Sequence, residues 1–199
     1  QLDGLAYKFV PIKTPMGKKS LFDMGRIDTE KMYNNIQKWD WRNINDGKIY
    51  LDEQTKRNVI SMRNGLLRLS EAFAKEGDTI KANEILDLSL EKLPIEDFDH
   101  YTLSLGYPEA FYKLGNQEKA RKTGETLLRL FKEKAIWLST FDINDLNLIE
   151  DDLQTAFYVF DAVIKNIELY DNDKEYLNQQ KQTVNDVFKL FSHLIPDNE

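Results

Sequence analysis

The spacing of apolar residues predicts helices over most of this chain. From about Asp52 onward, large apolar side chains recur at intervals of three and four, which is the period of one buried helix face. On the first long helix this face consists of Val59, Met62, Leu66, Leu69 and Phe73. Only the segment before about Asp52 departs from this pattern.

Glycine and proline mark where the next helices begin and end. Gly77 is expected to end the first helix in a left-handed conformation, and Asp78 to cap the second. Pro94 stops the second helix. Pro108 should start or kink the third helix, because proline has no N–H to donate. Gly115 ends that helix, and a fourth follows at once.

Two further long helices are predicted over residues 144–170 and 174–195, joined by a capped turn at 171–173. Acidic residues of that turn begin like a calcium loop, but Tyr176 stands where such a loop needs glycine. The predicted core positions of the two helices are Ile149, Leu153, Phe157, Phe160, Ile164, Ile167, Leu177, Val184, Phe188, Phe191 and Ile195.

Residues 1–57 read as an extended segment and a short helix that pack on the helical body. Asp28 is the expected N-cap of a helix over residues 29–38. Trp39 and Trp41 follow that helix, and we expect them to cover one end of the helical body.

A repeat organises the middle of the chain. The segment Glu71–Ala82 recurs 38 positions later as Glu109–Ala120, with seven of twelve positions identical. Internal repeats with a period of about 20–50 residues are typical of stacked arrays. Such arrays offer a long concave surface to a partner.

The first copy resembles the tetratricopeptide repeat. Its matching positions are Leu66, Leu69, Ser70, Phe73, Ala82, Leu86, Ser89 and Pro94. The second copy keeps Tyr107, Phe111, Gly115, Ala120 and Leu127. It departs from the pattern at Pro108, where a small residue is expected, and at Gly124, where a large apolar residue is expected.

This resemblance implies an all-α fold with an irregular N-terminal segment. Antiparallel helical hairpins would stack as a right-handed superhelix over residues 58–199. The repeats would cover about 63–96 and 101–134, and a divergent third helix pair would cover about 144–195.

A wider resemblance covers about residues 4–130. It rests on Gly4–Ile12, Met32–Asn35, Lys38-Trp39, Tyr50–Glu53, Met62–Asn64 and Pro108–Gly115. These segments resemble the soluble C-terminal region of large bacterial multi-spanning membrane proteins, similar to protein O-mannosyltransferases in their membrane half. The resemblance implies a parent protein in the inner membrane, with this region in the periplasm. Any sugar transfer would occur in the membrane half, so no catalytic residue carries over.

Composition narrows the classes of function. The net charge is −7 and no basic stripe is evident, which argues against nucleic acid as a partner. There is no cysteine, and no run approaches the roughly 20 apolar residues of a spanning helix. His100 and His193 lie far apart without metal-ligand spacing, so surface or capping roles are expected. We expect no catalytic residues, cofactor, metal or small-molecule substrate.

The remaining candidate site is a groove lined by the first helix of each repeat. In the tetratricopeptide register it would consist of Asn64, Leu67, Arg68, Glu71, Lys75, Leu105, Glu109, Tyr112 and Lys113. A mixed groove with an aromatic residue fits a protein or peptide segment. The alternatives are a solvated face, or a groove that the N-terminal segment fills.

The sequence therefore favours a non-catalytic protein-interaction or scaffolding domain of a cell-envelope protein. An alternative is an intramolecular domain that packs on its own transmembrane half. Another is an accessory domain that presents acceptors to a glycosyltransferase. The oligomeric state stays open.

Overall fold

Helices make up most of the chain. The computed structural model describes residues 1–4, 6–11, 25–42, 44, 50–98 and 104–194. The α-helices of this part are α1 (Thr29–Ile36), α2 (Glu53–Glu76), α3 (Thr79–Lys92), α4 (Gly106–Lys113), α5 (Gln117–Leu138), α6 (Leu146–Tyr170) and α7 (Lys174–Lys189). Two short strands, β1 (Leu2–Asp3) and β2 (Ala6–Tyr7), pair antiparallel. The predicted all-α class is confirmed.

The chain folds as two units, Gln1–Ala110 and Phe111–Glu199, which we call the N-terminal and C-terminal units. The division falls inside α4. The sequence predicted that residues 1–57 form a segment that packs on the helical body. In the structure α1, which belongs to that segment, packs on α2.

The hairpin of α2 and α3 forms the body of the N-terminal unit, and its ends follow from local sequence. The Asp52 carboxylate accepts a hydrogen bond from the backbone N–H of Thr55 at 2.7 Å, and so caps α2. Gly77 ends α2 at φ 87°, a conformation that glycine adopts without strain. The Asp78 carboxylate then caps α3 by accepting from the N–H of Lys81 at 3.0 Å. The helix end predicted at Gly77 and the cap predicted at Asp78 are confirmed.

Small residues allow α2 and α3 to approach closely. Ala82 is fully buried, and the Ser70 hydroxyl donates to its carbonyl oxygen at 2.8 Å across the hairpin. Phe73 is buried beside α1, where its ring meets the edge of Tyr33 at a centroid distance of 5.7 Å. Other core residues of this unit are Leu2, Met32, Ile36, Val59, Leu66, Leu69, Ile85, Leu86, Leu93 and Phe98.

In the C-terminal unit, α6 packs against α5 and also contacts α7. Gly124 of α5 lies against α6, because a Cβ atom placed there would be 3.3 Å from Cγ1 of Val163. This contact accounts for the glycine at a site where the repeat pattern expects a large residue. The buried core includes Leu127, Phe131, Ala135, Leu138, Ile149, Leu153, Ala156, Val159, Phe160, Val163 and Ile167.

The structure decides three predictions, which concern the start of α4, the end of α7 and the burial of Phe188. Pro108 is the third residue of α4 and lies in its first turn, where its missing N–H breaks no helix bond. The last helix ends at Lys189 and a 3-10 turn follows at Ser192–Leu194, whereas the sequence predicted one helix to 195. Phe188 was predicted as core but is 42% exposed.

Replacing Phe73 with alanine tests the core of the N-terminal unit. We expect Phe73→Ala to lower the free energy of unfolding by about 3–5 kcal/mol, the range for removing a buried aromatic ring. Urea denaturation followed by circular dichroism measures the loss. Ile80→Ala is the control, because Ile80 is 72% exposed and the change should stay within about 0.5 kcal/mol. An unchanged melting temperature for Phe73→Ala would refute the assigned register.

Replacing Gly124 with leucine tests the close approach of α5 and α6. The side chain that the repeat pattern expects would collide with Val163, so Gly124→Leu should destabilise the protein by about 1–3 kcal/mol despite leucine's better helix propensity. Lys122→Leu on the exposed side of α5 is the matched control and should be neutral or slightly stabilising. A stabilised Gly124→Leu protein would contradict the contact.

Candidate functional site

The predicted groove residues on α2 are partly covered by the chain itself. Leu67 and Arg68 are each only 8% exposed. The Arg68 guanidinium donates to the Tyr7 hydroxyl at 2.9 Å and to the Gly25 carbonyl at 3.2 Å. Arg68 therefore holds the N-terminal segment. These bonds bring the N-terminal segment to one of the predicted groove residues.

The other groove residues of the N-terminal unit vary in exposure. Those that lie partly exposed are Asn64, Glu71, Leu105 and Glu109, whereas Lys75 is exposed. Leu67 packs against Gly106 at the start of α4, where an added Cβ atom would be only 2.5 Å from Cδ2 of Leu67. The structure thus joins α2 and the start of α4 through buried apolar contact at this point.

The two groove residues of the C-terminal unit differ from each other. Lys113 is exposed, whereas Tyr112 is buried. The Tyr112 hydroxyl donates to Oδ2 of Asp171 at 2.9 Å, and its ring stacks on Tyr170. Tyr112 therefore stabilises the C-terminal unit and is not available to line a groove.

Asp171 is the centre of a polar cluster in the C-terminal unit. Arg121 donates to both of its carboxylate oxygens, from Nε at 2.7 Å and from Nη2 at 2.8 Å. Gln117 donates from Nε2 at 2.6 Å, and the backbone N–H of Asp173 donates at 3.0 Å. With Tyr112, these bonds connect the turn between α6 and α7 to the start of α5 and the end of α4.

The electrostatics of this cluster favour a fixed ion pair. The hydrogen bonds from Arg121 hold the pKa of Asp171 well below its ordinary value of 3.8. Burial, followed by the bond to Asp171, raises the pKa of Tyr112. The guanidinium of Arg121 also lies 4.1 Å from the ring centre of Tyr176, a cation–π contact. A carboxylate with so many donors is a very weak base, so this cluster suits structure better than proton transfer.

A second buried cluster lies at the end of α3 in the N-terminal unit. Arg63 is 2% exposed and donates to the carbonyl oxygen of Leu93 from Nε at 3.1 Å and Nη2 at 3.0 Å, and also to the carbonyl of Pro94. The Tyr107 hydroxyl lies 2.6 Å from the Ser89 hydroxyl and donates to the Arg63 carbonyl at 3.0 Å. Burial raises the pKa of Tyr107 to about 12, so it stays protonated at neutral pH.

An open cleft between α6 and α7 is the best candidate for binding. Its volume is about 270 Å³. The apolar lining consists of Phe157, Phe160 and Ile164 from α6 and Val184 and Phe188 from α7. The polar lining consists of Asp161, Lys181 and Asn185. We call this site the α6–α7 cleft.

Aromatic rings shape one end of the α6–α7 cleft. The rings of Phe157 and Phe188 lie 4.6 Å apart between centroids and are tilted by 35°. Phe191 packs edge-on against Phe157 at 5.7 Å. The sequence identified these residues as apolar faces but predicted that they would be covered. A sequence signal was available, because α7 is mostly polar in sequence. The structure buries only Val184 and Val187 of this helix.

The described residues hold no group of three or more histidine, aspartate or glutamate side chains that could bind a metal ion. His193 is exposed, and its Nε2 atom lies 3.0 Å from the carbonyl oxygen of Phe141. His100 lies outside the described residues. Of the helices that the structure describes, none combines the length and apolar content needed to cross a bilayer.

Replacing Asp171 with asparagine tests the first polar cluster. At pH 7, Asp171→Asn should lower the free energy of unfolding by about 2–3 kcal/mol, the range for hydrogen bonds to a charged group. The folded state has the lower pKa, so this stabilisation is present above about pH 5 and is lost as the pH falls below 3.8. The difference between wild type and variant should therefore shrink in acid, as measured by urea denaturation from pH 7 to pH 2.

Asp161→Asn is the matched control for that experiment. Its carboxylate is exposed and pairs with Lys165 one helical turn away, at 2.7 Å. The loss should be about 0.5 kcal/mol or less. Equal losses for Asp171→Asn and Asp161→Asn at pH 7 would show that the Asp171 cluster contributes no special stability.

Comparison of the chain with protein-family models, curated proteins and solved structures found no match. The tetratricopeptide and membrane-protein resemblances therefore rest on the quoted residues and stay predictions. The candidate function rests on the contacts of the described residues.

Proposed function

We propose that this chain is a non-catalytic protein-interaction domain of a bacterial membrane-anchored envelope protein, and that it faces the periplasm. In this proposal the helical hairpins stack as a tetratricopeptide-like right-handed superhelix. The internal repeat supports the stack of helical hairpins, and the family resemblance supports the location in the cell envelope. The observation that carries the interaction function is the open α6–α7 cleft.

The cleft has the chemistry of a binding site. Its floor and walls are aromatic and aliphatic side chains, and its rim carries one acid, one lysine and one amide. Exposed apolar surface with a polar rim is characteristic of sites where proteins bind partners. Covering Phe188, now 42% exposed, would contribute free energy at about 25 cal/mol per Å² of apolar surface removed from water.

The two buried polar clusters support a role without chemistry. Arg121 and other donors occupy the carboxylate oxygens of Asp171. The Tyr107 hydroxyl is committed to Ser89 and to the Arg63 carbonyl. Each cluster joins segments that are far apart in sequence, so its polar groups stabilise the fold.

Site-specific photo-cross-linking in the intact membrane protein tests the proposal. A photoreactive residue at Asn185, on the rim of the cleft, should give an adduct with one defined protein, identified by mass spectrometry. The same residue at Gln179 is the matched control, because Gln179 is an exposed amide of α7 that does not line the cleft. The adduct should disappear when Phe188 is replaced by glutamate.

The position of the adduct separates the candidate functions. An adduct with a second protein from position 185 supports the interaction domain. An adduct only with the transmembrane half of the same chain would replace that proposal with the intramolecular packing role. Equal labelling from 185 and 179 would rule out the cleft as the binding site.

A further inference from the structure

The N-terminal unit carries a surface on which the chain's own two short strands lie. We infer that this surface is a second binding site, and that its ligand is an extended segment of a partner protein in which leucine is followed by aspartate. The strands β1 and β2, which we call the strand pair, occupy this site as an exchangeable internal ligand. The inference goes beyond the proposed function, because the α6–α7 cleft belongs to the C-terminal unit.

The leucine of the strand pair packs against a glycine of α2. Leu2 is 5% exposed, and its Cδ2 atom lies 3.9 Å from the position of a Cβ atom added at Gly65. The Cε atom of Met32 lies 3.6 Å from the same position, so α1 contributes to this contact. Glycine inside a helix costs about 1 kcal/mol relative to alanine. Its presence at residue 65 is explained by the approach of Leu2, because a bulky side chain there would compete for the same space.

The aspartate of the strand pair meets matching polar groups on α1. Its Oδ1 atom accepts a hydrogen bond from Nδ2 of Asn35 at 2.7 Å, and the Oδ2 atom of Asp3 pairs with Nζ of Lys31 at 2.6 Å. Lys31 and Asn35 are four residues apart on α1 and therefore lie on the same side of this helix. Together they select a carboxylate, because a lysine in place of Asp3 would be repelled by Lys31.

Backbone pairing favours an extended ligand. The N–H of Leu2 donates to the carbonyl oxygen of Arg26 at 2.7 Å, and Leu2 forms a parallel bridge with Ile27. These residues thus offer backbone groups to a segment that lies beside them. Addition of a strand is a recurring mode of peptide recognition, in which main-chain bonds give affinity and side-chain contacts give specificity.

The strand pair is attached through few buried contacts. Of its four residues only Leu2 is buried, whereas Tyr7 is 55% exposed and meets α2 through the bond of its hydroxyl to Arg68. A segment with so little buried apolar surface opens at a lower free energy than the core of its unit. Local opening of the strand pair would therefore give a partner access to the site.

The helices of the site are held in place by contacts that do not involve the strand pair. Ile36 of α1 is 1% exposed. The Thr29 hydroxyl donates to Glu76 of α2 at 3.2 Å, and Lys81 of α3 donates to Glu30 at 2.6 Å. The site is thus preorganised, and a ligand binds without the cost of ordering these helices.

Fluorescence anisotropy on the full chain tests the exchange. The probe is a labelled peptide with the sequence of residues 1–8, and the chain carries Leu2→Ser, which removes the buried leucine of the internal ligand. This variant should bind the peptide at least about tenfold more tightly than the wild type does, because a ligand on the same chain competes at a high effective concentration. A peptide that itself carries Leu2→Ser should not bind.

A charge exchange tests the contact with aspartate. In the Leu2→Ser chain, Lys31→Glu should weaken binding of the peptide at least about tenfold, because two carboxylates then face each other. The same chain should bind a peptide that carries Asp3→Lys. Lys38→Glu is the matched control, because Lys38 is an exposed lysine just beyond α1, and it should change the affinity by less than about twofold. A purely structural role of Lys31 would not reverse the preference between the two peptides.

The possible outcomes separate the inference from its alternatives. Circular dichroism checks that each chain folds, and Asp3→Lys replaces Leu2→Ser if that variant is unfolded. If the folded variant does not bind the peptide, the inference is overturned, because the strand pair is then a fixed part of the unit. Equal weakening by Lys31→Glu and Lys38→Glu overturns it too.

Sedimentation of the wild type distinguishes a partner protein from a second copy of this chain. A dimer that Leu2→Ser dissociates would assign the site to the strand pair of a second copy and overturn the assignment to a different protein. A monomer supports that assignment. These results leave the proposed function standing, because the cross-link from residue 185 tests the α6–α7 cleft separately.

Discussion

The ends of the helices impose the constraint that organises this chain. An α-helix leaves its first N–H groups and its last carbonyls without helical partners, and burying them unpaired is costly. At the start of the helices, side chains immediately before the first turn meet this requirement. These capping residues are Asp28, Asp52, Asp78, Asn116 and Asp173. At the end of α3, the carbonyl of Leu93 is instead satisfied by a residue far away in sequence. Arg63 donates a hydrogen bond to this carbonyl from 30 residues earlier.

This contrast explains how much of the fold could be predicted from sequence. A cap such as Asp78 lies within three residues of the N–H that it accepts, so composition and spacing reveal it. Gly77 was predictable for the same reason, and Ala82 was predictable from the repeat pattern. Arg63 and Leu93, or Arg121 and Asp171, meet only through the tertiary fold. The turn at Asp171 was predicted from the sequence. No local pattern indicates that Arg121, 50 positions earlier, forms an ion pair with it.

The buried polar clusters are effective because they are so fully bonded. A lone Asp171 carboxylate inside the C-terminal unit would be destabilising, whereas the bidentate bond from Arg121 and the further donors favour its ionised form. The same groups are then unavailable for proton transfer. The hydrogen bonds that fix the turn between α6 and α7 are therefore the same bonds that make the Asp171 carboxylate a poor base.

The candidate site shows where prediction from periodicity ends. The period of apolar residues identifies the faces of α6 and α7, and it placed Phe157, Phe160 and Val184 correctly on those faces. It does not say how many neighbours cover a face. Because α7 buries only two residues of its own, it covers α6 incompletely and leaves Phe188 partly in water. Periodicity along one helix therefore identifies an apolar face, whereas the packing of neighbouring helices decides whether that face becomes core or cleft.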